Sequence, residues 1–206
     1  LQARLDGLPP REKAALQQAS VIGHVFWDEP LERIAPDAPE ALDDLMRREL
    51  TQGRETSAFE GVREYVFKHH LLHQVTYDSV LKRHKREQHR LMAEWLVARS
   101  GERASEYYGM IGEHYERAGD AANAVDYLKR AGEDAARAYA NAAALDYLGR
   151  ALALAPESDP QLRFELLFAL IDVRDTMGQR AEQGQDVGLL EQLAEQIGND
   201  TARARA

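Results

Sequence analysis

A nine-residue string recurs twenty positions on: Asn123-Ala-Val-Asp-Tyr-Leu-Lys-Arg-Ala131 returns as Ala143-Ala-Leu-Asp-Tyr-Leu-Gly-Arg-Ala151. A unit this short cannot bury its own apolar face, so it repeats only where copies stack and cover one another. The second half of the chain therefore reads as a helical solenoid. Small residues at Gly112, Ala124 and Ala144 let neighbouring helices approach closely, and Tyr115 and Leu148 fill the gaps between them. Phe164 to Met177 and Val187 to Ile197 supply two further helices, joined by a Gly- and Gln-rich turn.

The first half is patterned differently. Leu8-Pro-Pro begins a segment suited to a helix start, and Gly23 suits its exit. Asp28 offers an N-cap with Pro30 in the first turn, and Asp37-Ala-Pro-Glu repeats that logic before Leu42, Leu45, Met46 and Leu50. From Leu50 the helical period is lost: Gly53, Ser57 and Gly61 surround a polar turn, and Val62 to Phe67 is β-favouring. Three short helices and a hairpin predict a winged helix. Two more helices follow, from about His70 to Leu81 and from about Lys85 to Arg99. The second carries Leu91, Trp95 and Ala98 on one face, with Met92 and Leu96 beside it. The expected fold class is mainly α, with a winged-helix domain and its two trailing helices over 1–100 and helical repeats over 101–206.

Charge supports that boundary. Residues 1–103 carry 16 Lys+Arg against 17 Asp+Glu, and residues 104–206 carry 10 against 18, so the acid excess lies in the second half. A net charge of −9 opposes general attraction to nucleic acid or an anionic membrane, although a local basic patch can still act. The absence of cysteine excludes disulfides and thiolate chemistry, and a reducing cytoplasm fits. No apolar run approaches the roughly 20 residues of a membrane span, and nothing at the start reads as a signal peptide. The chain opens on Leu1 rather than Met, and Asn199 to Ala206 starts like another capped helix, so the sequence reads as a fragment of a longer protein.

Candidate chemistry concentrates in two places. His69, His70 and His73 form the densest ionisable cluster, at the point where the β pattern of Tyr65, Val66 and Phe67 gives way to helical spacing. His69 and His73 share a helix face if the helix starts early enough to hold both, and two histidines four apart can bind zinc. No cysteine, His-Glu-x-x-His or well-spaced carboxylate completes such a site, so no metal is expected. Lys82, Arg83, Lys85, Arg86 and Arg90 fall within nine residues and are suited to a phosphate or partner contact. Aromatics are not interleaved with them, which counts against single-strand binding. The third helix, Asp37 to Glu49, and the wing carry acids that DNA would repel, so protein contact is expected there instead of base readout. Neither a phosphate loop nor a nucleophile elbow occurs, and no catalytic residue is assigned.

Two resemblances add to this reading. Tyr108, Ile111, Gly112, Tyr115, Gly119, Ala124, Leu128 and Ala131 fall at the spacings of a tetratricopeptide repeat, and Ala144, Leu148, Ala151 and Pro156 repeat its second half. More broadly, the chain to about Asn199 resembles the region downstream of the ATPase core in bacterial STAND/AAA-type signalling ATPases. The likeness is greatest to those that also carry a class III adenylate or guanylate cyclase domain. It is carried by Leu5-Asp-Gly-Leu-Pro-Pro-Arg-Glu-Lys, Ala19-Ser-Val-Ile-Gly23, Tyr65-Val-Phe-Lys-His69, Val75-Thr-Tyr-Asp-Ser79, His114-Tyr-Glu-Arg-Ala-Gly-Asp120 and Arg150-Ala-Leu-Ala-Leu154. ATP-dependent LuxR-type transcription regulators share similar middle and tail regions, which makes DNA contact by the winged helix or basic segment the alternative. The resemblance implies ATP or ADP bound elsewhere in the parent protein and no cofactor on this fragment. It also implies an ATPase domain as intramolecular partner and a protein or peptide on the repeat face. In such ATPases a histidine near the end of the last winged-helix strand can contact the nucleotide phosphates and hold the resting state. By position this is His69, with His70 the neighbouring candidate. The departures are a motif reduced to Phe-x-His and a phosphate loop absent from this chain.

Overall fold

Pro10 stands in the first turn of a thirteen-residue helix, where its missing N–H costs nothing, in the computed structural model, which describes residues 2–198. The tail from Asn199, where the sequence predicts the start of another helix, lies outside the described residues. A short helix α1 (Gln2–Asp6) precedes that helix, α2 (Pro10–Ile22). The exit of α2 is at Gly23, whose N–H donates to the Ala19 carbonyl at 3.2 Å. A side chain there would meet the Val25 carbonyl oxygen at 2.8 Å, so the chain can turn this tightly into the next element only with glycine.

That element is β1 (Val25–Trp27), followed by α3 (Asp28–Ile34), a 3₁₀ turn (Pro39–Ala41) and α4 (Leu42–Arg47). Strands β2 (Thr51–Gly53) and β3 (Glu64–Phe67) follow, then α5 (His70–Asp78) and α6 (Lys82–Ser100). The hairpin expected from the sequence is part of a three-stranded antiparallel sheet in the order β1-β3-β2, with Phe26 opposite Tyr65 and Gln52 opposite Val66. The central strand is covered on both faces, so Glu64, Tyr65 and Phe67 are all buried. Phe26 stacks on Tyr65 at 5.5 Å, and Trp27, Phe59 and Trp95 pack with centroids 4.8–5.6 Å apart.

Several local expectations change. Asp28 does not cap α3: its carboxylate accepts from the Arg63 backbone N–H at 2.9 Å and from Arg63 Nε at 2.8 Å, clamping the strand that pairs with β1. The third helix is also shorter than Asp37 to Glu49, because the 3₁₀ turn begins at Pro39 and α4 spans six residues. On α6 the buried side is His89, Met92, Ala93, Trp95, Leu96 and Ser100, and Ala98 is exposed. Leu71 and Leu81, expected on an apolar stripe, are each 57% exposed.

The chain divides into two compact units. The first runs to Gly101 and includes Arg117–Gly119. The second comprises Glu102–Glu116 and the described chain from Asp120 onward. The second contains most of α7 (Ala104–Ala118), with α8 (Ala121–Arg137), α9 (Asn141–Leu154), α10 (Pro160–Thr176) and α11 (Arg180–Ile197). Asp120 and Asp159 cap α8 and α10, accepting from Asn123 N at 3.2 Å and Leu162 N at 3.0 Å. The Gly- and Gln-rich stretch does not form the turn before the last helix. It lies within α11, and the turn is made at Gly178, with φ of 69°.

The two copies of the repeated string fall on adjacent helices, α8 and α9, so the period is one helix per twenty residues. The packing repeats with it. A Cβ on Gly112 would lie 2.9 Å from Leu128 Cγ, and a Cβ on Gly132 would lie 2.6 Å from Leu148 Cγ. α7 and α8 thus each present a glycine to a leucine of the next helix, and α8 supplies the leucine to one neighbour and the glycine to the other. Ala124, Leu128, Ala131, Ala144, Leu148 and Ala151 are all buried along this seam. Phe164, Leu167, Leu190 and Ala194 close α10 against α11.

Candidate functional site

His69 is the last extended residue before α5, with φ −136° and ψ 128°, and its side chain is exposed. Its carbonyl accepts the first helical hydrogen bond, from His73 N at 3.2 Å, so the helix begins one residue too late for His69 and His73 to share a face. No side chain caps α5, and among the described residues nothing hydrogen-bonds to the His69 imidazole. Lys68 beside it is occupied: its ammonium lies 3.0 Å from Glu49, and that contact lowers the Glu49 pKa below the usual carboxylate value.

The histidine cluster that forms is His24, His70 and His73, with ring centroids 5.6–6.2 Å apart. His24 is the member sequence reasoning missed. It enters through the sheet: its carbonyl accepts from Phe67 N at 2.9 Å, one step beyond the Val25–Val66 pair. The aromatic and β-branched run Val25-Phe-Trp was the one available hint of a strand, but three residues set neither its partner nor its register. His73 donates from Nε2 to the Ser20 carbonyl at 2.9 Å and meets the Phe67 ring at 5.0 Å. Burial lowers its pKa, the Ser20 contact opposes this, and the charges of His24, His70 and Arg117 add to the lowering. His24 is lowered by burial and then by His70. Among the described residues no group of three His, Cys, Asp or Glu is placed to hold a metal ion.

Lys82, Arg83, Lys85 and Arg86 lie in the opening turns of α6, which begins at Lys82, three residues before the expected start at about Lys85. All but Lys85 are exposed; the Lys85 ammonium sits 4.1 Å from the Tyr77 ring centroid. The arginines between β2 and β3 are spent on structure instead. Arg54 and Arg63 pair with Glu64 and Asp28 at 2.7 and 2.8 Å.

In the second unit, Val125, Leu154, Pro156 and Leu162 line an apolar groove of about 560 Å³, with Asp126 and Lys129 at its edge. Pro156 is exposed on this wall and does not pack in the interior as its motif position suggests. Tyr108 is half-buried, 5.9 Å from Tyr127, and the Arg130 guanidinium lies within 6 Å of both rings, at 5.7 and 5.4 Å. Tyr115 is buried and stacks on Tyr127 at 5.7 Å. The groove offers apolar contact with fixed charges beside it, a combination suited to a peptide side chain. No family model, curated protein or solved structure matches the chain, and no helix among the described residues is long and apolar enough to cross a membrane.

Proposed function

We propose that this chain is a non-catalytic regulatory and protein-interaction region of a larger ATP-binding signalling protein, a winged helix followed by tetratricopeptide-like repeats. The observation that carries the reading is the exposed His69 imidazole, without a hydrogen-bond partner among the described residues, at the uncapped start of α5. An imidazole N–H beside open helix N–H groups is a donor set for an anion such as a nucleotide phosphate. The phosphate-holding loop belongs to an ATPase core elsewhere in the parent, and the output is a nucleotide cyclase. A protein or peptide in the groove of the second unit would bias that ATPase between closed and open arrangements by binding one better than the other. The pairing of Arg54 and Arg63 within the wing argues against the alternative of a DNA-reading transcription regulator.

The test is His69→Ala in the parent protein, with ADP affinity and output activity both measured. Weaker ADP binding with raised basal output is expected. Unchanged values for both would end the nucleotide-sensing reading.

A further inference from the structure

In the first unit nearly every basic side chain is matched by an acid. Apart from Arg4 and the four cations of residues 82–86, each Lys and Arg between residues 2 and 101 has a carboxylate oxygen no farther than 3.6 Å away. Arg4 donates to the Arg48 carbonyl. Lys82, Arg83, Lys85 and Arg86 have no carboxylate partner among the described residues. Arg83 Nε donates to His84 at 3.3 Å, and Lys85 is taken up by Tyr77.

Their position makes the mismatch worse. They open a nineteen-residue helix whose first turn holds no acid, at the end where the macrodipole is already positive. Lys82 stands three and four residues from Lys85 and Arg86, the spacings at which like charges repel on a helix. Selection for stability alone would put Asp or Glu here, so the arrangement is kept at the expense of the helix, as is typical of positions that serve an interaction. Leu81, immediately before them, is 57% exposed and offers an apolar contact beside the charges.

We propose that the start of α6, Leu81 with Lys82, Arg83 and Arg86, is a docking surface for a short acidic protein segment bearing an apolar side chain. Arginine forks match carboxylates with two parallel hydrogen bonds, and leucine supplies the contact that a purely ionic pairing lacks. A short segment meets only this local field, because charges beyond about 8 Å are largely screened at physiological salt. A nucleic-acid duplex would extend past the patch and meet a chain of net charge −9. This inference is independent of the nucleotide reading of His69.

The probes are a short fluorescein-labelled peptide of aspartates and glutamates around one leucine, its asparagine and glutamine counterpart, and a random-sequence DNA duplex. Each is titrated with the full chain by fluorescence anisotropy. The acidic peptide should bind and the amide peptide should not. The double variant Arg83→Glu, Arg86→Glu should weaken the acidic peptide at least about tenfold, and Leu81→Ser should weaken it about fivefold. The charge reversal should also raise the melting temperature, since acids suit a helix N-terminus, so its loss of binding cannot come from unfolding. Failure of the acidic peptide to bind at physiological salt, or equal binding by the charge-reversed chain, overturns the proposal. Tighter binding of the duplex than of the acidic peptide overturns it in favour of a nucleic-acid surface.

Discussion

The two units hold themselves together by different means. The first is organised by pairings distant in sequence: β1 reaches β3 across some forty residues, and Glu64 gathers Trp27 Nε1 and Ala58 N at 2.9 Å with Arg54 at 2.7 Å. The second is a succession of near neighbours, Gly112 with Leu128 and Gly132 with Leu148, in which each helix packs chiefly on the next and ion pairs such as Arg150 with Glu116 and Lys129 with Glu165 reach the helix after it. Distant pairings make a cooperative body in which one lost contact is felt throughout. Neighbour-to-neighbour packing makes a stack whose stability is close to a sum of local interfaces. Both tryptophans, Trp27 and Trp95, are buried in the first unit, so their fluorescence reports that unit alone while far-ultraviolet circular dichroism reports both.

The largest effect is expected from Glu64→Ala. It leaves the buried Trp27 indole N–H without its carboxylate acceptor and breaks the contacts to Ala58 N and Arg54, which should cost the first unit about 3 kcal/mol. The tryptophan transition should move to lower denaturant while most of the dichroism transition stays in place. If the two move together, the units are not independent. Gly132→Ala tests the converse. Its Cβ would stand 2.6 Å from Leu148 Cγ, and the forced separation of α8 and α9 should cost about 2 kcal/mol. Here the dichroism should shift and the tryptophan signal should not, and Leu148→Ala should cost less in the Gly132→Ala chain than in the parent. Additive costs would place the strain elsewhere.

The smallest effect is that of pH, and it falls on the first unit. His24 and His73 have folded pKa values below the ordinary 6.5, from burial first. The unfolded chain therefore takes up protons more readily than the folded one as the pH drops below 6.5. Stability present above that value is lost on acidification through the lowered folded values. The tryptophan melting temperature should fall in this range, with a shallower slope in His24→Gln. A slope unaltered by that change would mean that the cluster does not sense pH through His24.

What was legible in the sequence follows the same division. The seam of the second unit could be read because its contacts are local and periodic: Gly112, Ala124, Leu128, Ala144 and Leu148 announce themselves by spacing alone. The first unit hid what depended on partners far along the chain. β1 has three residues, too few for a period to show, and without it His24 had no reason to stand beside His70 and His73. Asp28 looked like a cap because caps are local, whereas its real partner, Arg63, stands just before the strand opposite. Two helix starts were set too late for a different reason. The run at Lys82 and the Gln- and Gly-containing stretch after Gln179 read as connections by polarity, yet lysine, arginine, glutamate and glutamine are good helix formers, and they continue the helices.

The one-helix period carries a directional consequence. Helices joined by connections as short as Gly119-Asp120 must run antiparallel, so successive units of twenty residues point up and down in turn. Inserting or deleting a single unit would send the onward chain out of the opposite end of the stack, whereas a pair of units would restore it. A stack of this kind therefore counts in parity: its length in units, odd or even, decides on which side anything joined after it emerges.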